Sequence, residues 1–264
     1  MQAAKPELDA ELFFDLLARA ETSALLLDYD GTLAPFSTDR DRAFPYPTVP
    51  ELLERIISTG RTRLVVVTGR RAADILTLLP VTPFPEVWGA HGLERLKCDG
   101  SYELLAVDEH TQRALAEADA MLRLEGLDKL AEIKPGSIAV HWRGYSDAAV
   151  DEIRAKAYRA WSLLASREGL KFLEFDGGLE LRVPARDKGD AVRTVLAELP
   201  DSAPVAFLGD DQTDESAFRA LKRRGFCVLV RPAFRQTEAD LWLKPPEDVV
   251  QFLVSWLRAC GGEL

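Results

Sequence analysis

The run Ala24-Leu25-Leu26-Leu27 leads directly into Asp28-Tyr29-Asp30-Gly31-Thr32-Leu33. Four apolar residues without a polar break are of strand length and predict a strand buried on both faces. Two alternate acids and a Gly end it, so both carboxylates are expected at its carboxyl end, where open α/β sheets bind ligands. Burying two carboxylates side by side is costly unless a cation shares them. A plain strand followed by an acidic turn would leave the same letters. An EF-hand loop would not, because its sixth position, counted from Asp28, is Leu33 rather than Gly and a strand-like run precedes it.

Outward from this stretch, apolar runs alternate with amphipathic ones. Glu11 to Arg19 has helical spacing, and Thr48 with Glu51 predicts a capping box opening a helix through Leu52, Leu53, Ile56 and Ile57. Leu64-Val65-Val66-Val67 is a second buried strand ending at Thr68-Gly69-Arg70, followed by a helix from Ala72 to Leu79 and a short strand into Trp88-Gly89-Ala90-His91-Gly92. This alternation predicts an α/β fold with a doubly wound, mostly parallel sheet. After Leu104 the order changes to helix, two strands, helix, two strands, which predicts an inserted α+β layer. From Lys188 the alternation resumes, with strands at Pro204–Leu208 and Phe226–Val230 and a closing helix at Asp248–Arg258. The expected division is a core of 1–104 and 183–264 with a cap at 105–182.

The 264 residues suit one large domain carrying a smaller insertion, and 47% hydrophobic content suits a substantial core. A net charge of -10 argues against nucleic acid or an anionic membrane as partner. Cys98, Cys227 and Cys260 are odd in number and lack metal-like spacing, which points to reduced thiols in a cytoplasm. Met1 to Asp9 has no apolar signal region and no apolar run approaches 18 residues, so a cytoplasmic protein is expected, neither exported nor membrane-spanning; a monomer is expected, although nothing in the sequence sets the oligomeric state.

Four chemical pieces fall in order at strand ends or helix starts: Asp28-x-Asp30, Thr68, Lys188, and Gly209-Asp210-Asp211-Gln212-Thr213-Asp214. Singly, each has a plainer explanation: Thr68 as a strand-end residue, Lys188 as a solvated helix-start lysine, the last acids as a helix cap. Jointly they make an oxygen-rich, hard-cation site that suits Mg2+ better than a Ca2+ cage, and no His/Cys set exists for Zn2+. A phosphate nearing an ionised Asp meets like charge worth roughly 4 kcal/mol per unit pair at 4 Å and an effective dielectric near 20. A divalent cation and the Lys188 ammonium would offset that, with Thr68 Oγ1 and the backbone N–H groups of Tyr29 to Thr32 holding the remaining oxygens. Carboxylate nucleophile, second acid, metal and oxyanion clamp are the parts of phosphoryl transfer.

This set resembles the haloacid dehalogenase-like (HAD) phosphatases. The resemblance implies Asp28 as nucleophile and Asp30 as general acid/base, with Thr68 and Lys188 completing the catalytic set. It further implies that Asp28, the Asp30 carbonyl and Asp210 hold Mg2+, while Asp211 and Asp214 orient Lys188 or the waters of the metal. Leu27-Asp28-Tyr29-Asp30-Gly31-Thr32-Leu33-Ala34-Pro35, Thr68-Gly69-Arg70, Gly89-Ala90-His91-Gly92-Leu93-Glu94, Glu132-Ile133-Lys134-Pro135, His141-Trp142-Arg143 and Gly209 to Glu215 narrow it. They resemble the trehalose-6-phosphate phosphatases from about Leu25 to Phe218. That resemblance implies substrate contacts from Gly69, Arg70, Glu132, Lys134, Arg143 and Glu180. A disaccharide presents many hydroxyls, and Glu acceptors with Lys and Arg donors answer them. Glu132 and Lys134 flank apolar Ile133 and equally fit the solvent face of a strand. Arg143 also fits a surface pairing residue, His141 a structural or surface histidine, and His91 a backbone turn.

One position departs from the family pattern. In Phe175-Asp176-Gly177-Gly178-Leu179-Glu180, Asp176 stands where a Lys is expected. A carboxylate there repels phosphate, which keeps another glycosyl phosphate, such as glucosylglycerol phosphate, as the alternative substrate. A silent sugar-phosphate sensor would require loss of the acids, yet Asp28, Asp30, Lys188 and Asp210 are all present.

Overall fold

The computed structural model describes residues 2–3, 10–175, 177–222 and 224–263. Among them one sheet has the order β1 (Gln2–Ala3), β13 (Leu241–Leu243), β12 (Phe226–Val230), β11 (Val205–Gly209), β2 (Ser23–Leu27), β3 (Thr62–Val67), β4 (Glu86–Gly89), β5 (Glu94–Leu96) and β6 (Tyr102–Leu104). The strands from β13 through β4 run parallel, while β1 and β5 pair antiparallel to their neighbours. The chain leaves β2 first toward β3 and β4 and later returns on its other side through β11 and β12. That makes the carboxyl end of β2 a topological switch point.

The sheet is apolar on both faces because both are covered. Leu25 and Leu27 of β2 join a buried cluster with Phe252, Leu253 and Trp256 of α8 (Glu247–Ala259). Ala24 and Leu26 point the other way, into a cluster with Val192 and Val195 of α6 (Lys188–Ala197) and Phe218 of α7 (Glu215–Leu221). Each Leu so buried contributes roughly 1.5–3 kcal/mol, enough to fix the register of the strand. Two differences from the sequence expectation stand out. Thr48 sits in helical rather than extended backbone ahead of α2 (Val49–Ser58) and makes no side-chain cap bond, and the Glu51 carboxylate that would complete the box is paired with Arg55 at 2.7 Å. The capping boxes are instead Asp187 with Asp190 at α6 and Asp211 with Asp214 before α7. Strands β5, β6 and β13 were also not anticipated; each has three residues and no sustained apolar run.

At the amino ends of β3 and β4 the same sheet carries a closed ionic network. Arg63 bonds Glu86 at 2.7 Å and Glu198 at 2.6 Å, and Arg95 bonds the same two acids at 2.8 and 2.7 Å. The Trp88 indole N–H also donates to Glu86, and the Arg95 guanidinium lies 4.8 Å over the Trp88 ring. Bonds from Arg95 and Arg63 hold the Glu198 carboxyl down at about 2.

The chain divides into two compact units, Met1–Glu103 with Asp187–Leu264, and Leu104–Arg186. The second contains α4 (Glu109–Leu124), α5 (Asp147–Glu168) and an antiparallel sheet in the order β7 (Ala131–Lys134), β8 (Ser137–His141), β10 (Gly178–Arg182), β9 (Lys171–Phe175). Ile138, Val140, Leu179 and Leu181 are fully buried on one face of that sheet, and both helices contact it. The Trp161 indole N–H of α5 donates to Ala118 O of α4 at 3.1 Å. By register the opposite face carries Glu132, Lys134, Ser137, His141 and Glu180. No helix of the described residues is long and apolar enough to cross a membrane.

Candidate active site

Three adjacent strands deliver two acids and a threonine. Asp28 follows β2, with its N–H donating to Leu208 O of β11 at 2.8 Å, and Asp210 follows β11. Gly31 then turns the chain at φ +79°, where a β-carbon would run into the Asp210 carboxylate and come within 2.7 Å of the Phe36 ring. Only Gly meets both demands. Thr68 follows β3 and is buried; its N–H donates to Trp88 O at 2.9 Å and its Oγ1 accepts from Arg70 N–H at 3.2 Å.

Lys188 arrives from a helix. It is the first residue of α6, capped by Asp187, and Gly189 beside it passes so close to α7 that an added β-carbon would lie 2.6 Å from Ser216 O. That seam brings Lys188 Nζ to 2.7 Å from both Asp28 Oδ1 and Asp214 Oδ1. Burial alone would push the ammonium pKa down, but Asp214 and Asp28 outweigh it and hold the pKa well above the usual lysine range.

The acids are left in excess. Asp28, Asp210 and Asp214 each offer an oxygen within 4.8 Å of the others, all buried. Asp214 is fully engaged: Oδ1 takes Lys188, and Oδ2 accepts the N–H groups of Asp210 and Asp211 at 3.0 Å each. Asp210 is not: both its carboxylate oxygens are buried without a hydrogen-bond partner. Burial, then the charges of Asp28, Asp214 and Asp211, push its pKa well up. Asp28 is likewise pushed up by burial, to about 7, against the opposing pull of Lys188. An orphaned buried carboxylate beside a second raised one is the signature of a place built for a cation, and an all-oxygen donor set fits Mg2+.

The remaining expected residues fall in separate places. Asp30 accepts a two-pronged bond from Arg70, Nε to Oδ2 and Nη2 to Oδ1, both 2.7 Å, so the Arg70 fork is engaged within the core unit. Gly69 lies under the His91 ring, where a β-carbon would be 2.6 Å from Cε1. His91 and Ala90 hold left-handed φ of 55° and 46°, and His91 N–H donates to Thr68 O at 2.9 Å, a backbone turn tied to that loop. Asp211 accepts from Gln212 N–H at 2.7 Å and caps the short turn before α7.

In the second unit, Glu132, Lys134 and Glu180 do come together. Lys134 Nζ lies 3.4 Å from Glu132 Oε2 and 3.6 Å from Glu180 Oε1, and Ser137 Oγ donates to Glu180. The solvent-face expectation for the strand is inverted: Lys134 is 8% exposed and Ile133 between the two polar residues is 59% exposed. His141 joins the cluster, its Nε2 2.9 Å from Glu132 Oε2. Arg143 lies against the Gly177 turn, with Nε 3.0 Å from where a β-carbon on Gly177 would stand. Asp176 lies outside the described residues. Sequence reading missed Arg231 and Arg235, which bond backbone carbonyls of the Asp210–Asp211 loop. Main-chain acceptors leave no mark in side-chain spacing.

Comparison with known proteins agrees with this geometry. Residues 26–240 match the trehalose-phosphatase family. The chain is 30% identical to trehalose-phosphate phosphatase B of Arabidopsis thaliana over 93% of its own length and 70% of that protein. It is 31% identical to the trehalose-phosphate phosphatase of Mycobacterium marinum over 90% of its length, spanning only 63% of that relative. The C-terminal domain of the C. albicans trehalose-6-phosphate phosphatase matches over 100% of both chains with a TM-score of 0.79 and 20% identity, a likeness of fold. The fold is also like that of a haloacid dehalogenase-like hydrolase from Bacteroides thetaiotaomicron, with a TM-score of 0.65 and 18% identity. The chain therefore belongs to the trehalose-phosphatase family and is a phosphatase.

Proposed function

We propose that this chain hydrolyses trehalose 6-phosphate to trehalose and phosphate through an aspartyl-phosphate on Asp28. The observation that carries the reading is the Asp210 carboxylate, buried without a partner beside Asp28 and the Lys188 ammonium. Asp28, the Asp30 carbonyl and Asp210 would hold Mg2+, which when bound supplies positive charge against the repulsion between carboxylate and phosphate. Asp28 Oδ attacks phosphorus, the bond to the sugar oxygen breaks, and Asp30 donates a proton to that oxygen. Asp30 then takes a proton from the water that attacks the acyl phosphate and frees Asp28. Both Asp30 oxygens accept from Arg70, so delivering the proton requires one of those bonds to be exchanged. Lys188 orients Asp28 and screens the phosphate charge, and Asp214 holds Lys188 in place. Thr68 Oγ1 and nearby N–H groups take the remaining phosphate oxygens. Glu132, Lys134 and Glu180, with Arg143, take the sugar hydroxyls.

Phosphate release across a panel of sugar phosphates, with and without Mg2+, tests the reading. Trehalose 6-phosphate should be the preferred substrate and chelation should abolish turnover. Preference for glucosylglycerol phosphate would move the assignment to that glycosyl group and make Asp176 its marker. Full activity after exhaustive chelation would exclude the metal site.

A further inference from the structure

We infer that Arg235, together with Arg231, is a positioning residue that clamps the backbone of the Asp210–Asp211 loop so that the Asp210 carboxylate is held ready for a divalent cation. The inference rests on the assignment of Asp210 as a cation ligand. Arg231 Nη1 and Arg235 Nε both donate to Asp210 O at 3.3 Å, and Arg235 Nη2 donates to Asp211 O at 2.8 Å. From the other side, Asp214 Oδ2 accepts the N–H groups of Asp210 and Asp211. Donor and acceptor of both residues' main chain are thus tied, while the Asp210 carboxylate between them has no bond of its own. The segment that brings the arginines is itself latched. Buried Glu215 accepts from Arg235 Nη1, from Thr237 Oγ1 at 2.8 Å and from Glu238 N–H at 2.9 Å.

Arg235 is the counter-charge of Glu215, but that pairing does not account for its bonds to the loop carbonyls. A cation beside a cation site opposes binding through space, so what these side chains contribute is geometry. A carbonyl held by two fixed donors leaves its peptide little freedom to turn, and a ligand that need not be ordered on binding binds tighter.

The experiment is Mg2+ binding by titration calorimetry on the full chain without substrate, comparing wild type, Arg235→Met and Arg235→Lys, with Tm recorded for each. Clamping predicts that Arg235→Met raises the Mg2+ dissociation constant by about 10- to 100-fold, the range for lost supports of metal ligands, with Arg235→Lys in between. A through-space charge predicts the opposite sign, tighter Mg2+ binding in Arg235→Met. A purely structural latch predicts a lower Tm with unchanged affinity, and either result overturns the inference. If Arg235→Met does not fold, Thr237→Val loosens the latch without touching the loop and should still weaken Mg2+ binding. Unchanged affinity there would also overturn it. Wild-type protein that binds no Mg2+ would overturn the cation-ligand assignment as well, whereas tight wild-type binding with unaffected variants sinks the clamp alone.

Discussion

One sheet carries two charge clusters, one at each end, and they are built on opposite rules. At the amino ends of β3 and β4, the guanidiniums of Arg63 and Arg95 meet the carboxylates of Glu86 and Glu198, and every charged group has an opposite partner. At the carboxyl ends of β2 and β11, the three acids Asp28, Asp210 and Asp214 face the single ammonium of Lys188. The first arrangement pulls Glu198 down to about 2, and the second pushes Asp28 up to about 7. A balanced cluster is complete as it stands and holds secondary structure together. An unbalanced one is costly to keep and marks the place where charge is to be supplied from outside.

Breaking the contrast from the unbalanced end gives the largest expected effect. Asp28→Asn keeps the shape and removes the nucleophilic charge, so turnover should fall by about three orders of magnitude or more. Near-normal phosphate release would remove Asp28 from the chemistry. The balanced end should answer in stability rather than rate. Glu86→Gln removes the buried counter-charge of Arg63 and Arg95 and leaves them only Glu198, which should cost about 1–3 kcal/mol in urea unfolding, with kcat for the surviving folded protein unchanged. A loss of kcat with intact stability would reverse the assignment of the two ends.

A sharper comparison comes from neutralising the orphan. Asp210→Asn removes a buried carboxylate that no group among the described residues bonds, so metal-free stability should rise by about 1 kcal/mol or more while the Mg2+-induced gain in Tm disappears. The smallest effect belongs to acid titration of the balanced cluster. The Glu198 carboxyl is depressed in the folded state, so its contribution is present above its ordinary value and lost as pH falls from about 4.5 toward about 2. Its side chain is 38% exposed, so solvent screening keeps that contribution below about 1 kcal/mol. Urea midpoints for wild type and Glu198→Gln should therefore differ near neutral pH and converge toward pH 2. Equal midpoints at every pH would show the pair to be inert.

The fold was legible where one apolar pattern sufficed. Leu25-Leu26-Leu27 and Val65-Val66-Val67 are buried on both faces, so their strands read as unbroken apolar runs, and the Gly after Asp30 marks the turn. Short strands were not legible: Leu241-Trp242-Leu243 becomes a strand because Leu229 and its neighbours offer it a ladder, which is a tertiary fact. The cap at Thr48 is absent because its backbone is already helical while Glu51 pairs with Arg55, and the boxes at Asp187 and Asp211 use Asp where the expected pattern has Glu. In the candidate site, residue types at strand ends announced the acids and Lys188. The pairing of Asp30 with Arg70 and the bonds from Arg231 and Arg235 to carbonyls depend on chain segments meeting in space, and no spacing in the sequence encodes them.

The seam at Gly189 sets a dimensional tolerance for the whole site. With Ser216 O 2.6 Å from where a β-carbon would stand, α6 is seated against α7 with no slack, and Lys188 rides on that seating one residue away. A single methyl group added there would act as a wedge, lifting the ammonium from Asp28 and Asp214 together. The protein thus gauges the spacing of its ion pairs by backbone contact, and in a mutational library Gly189 should prove as intolerant as the acids although it carries no functional group at all.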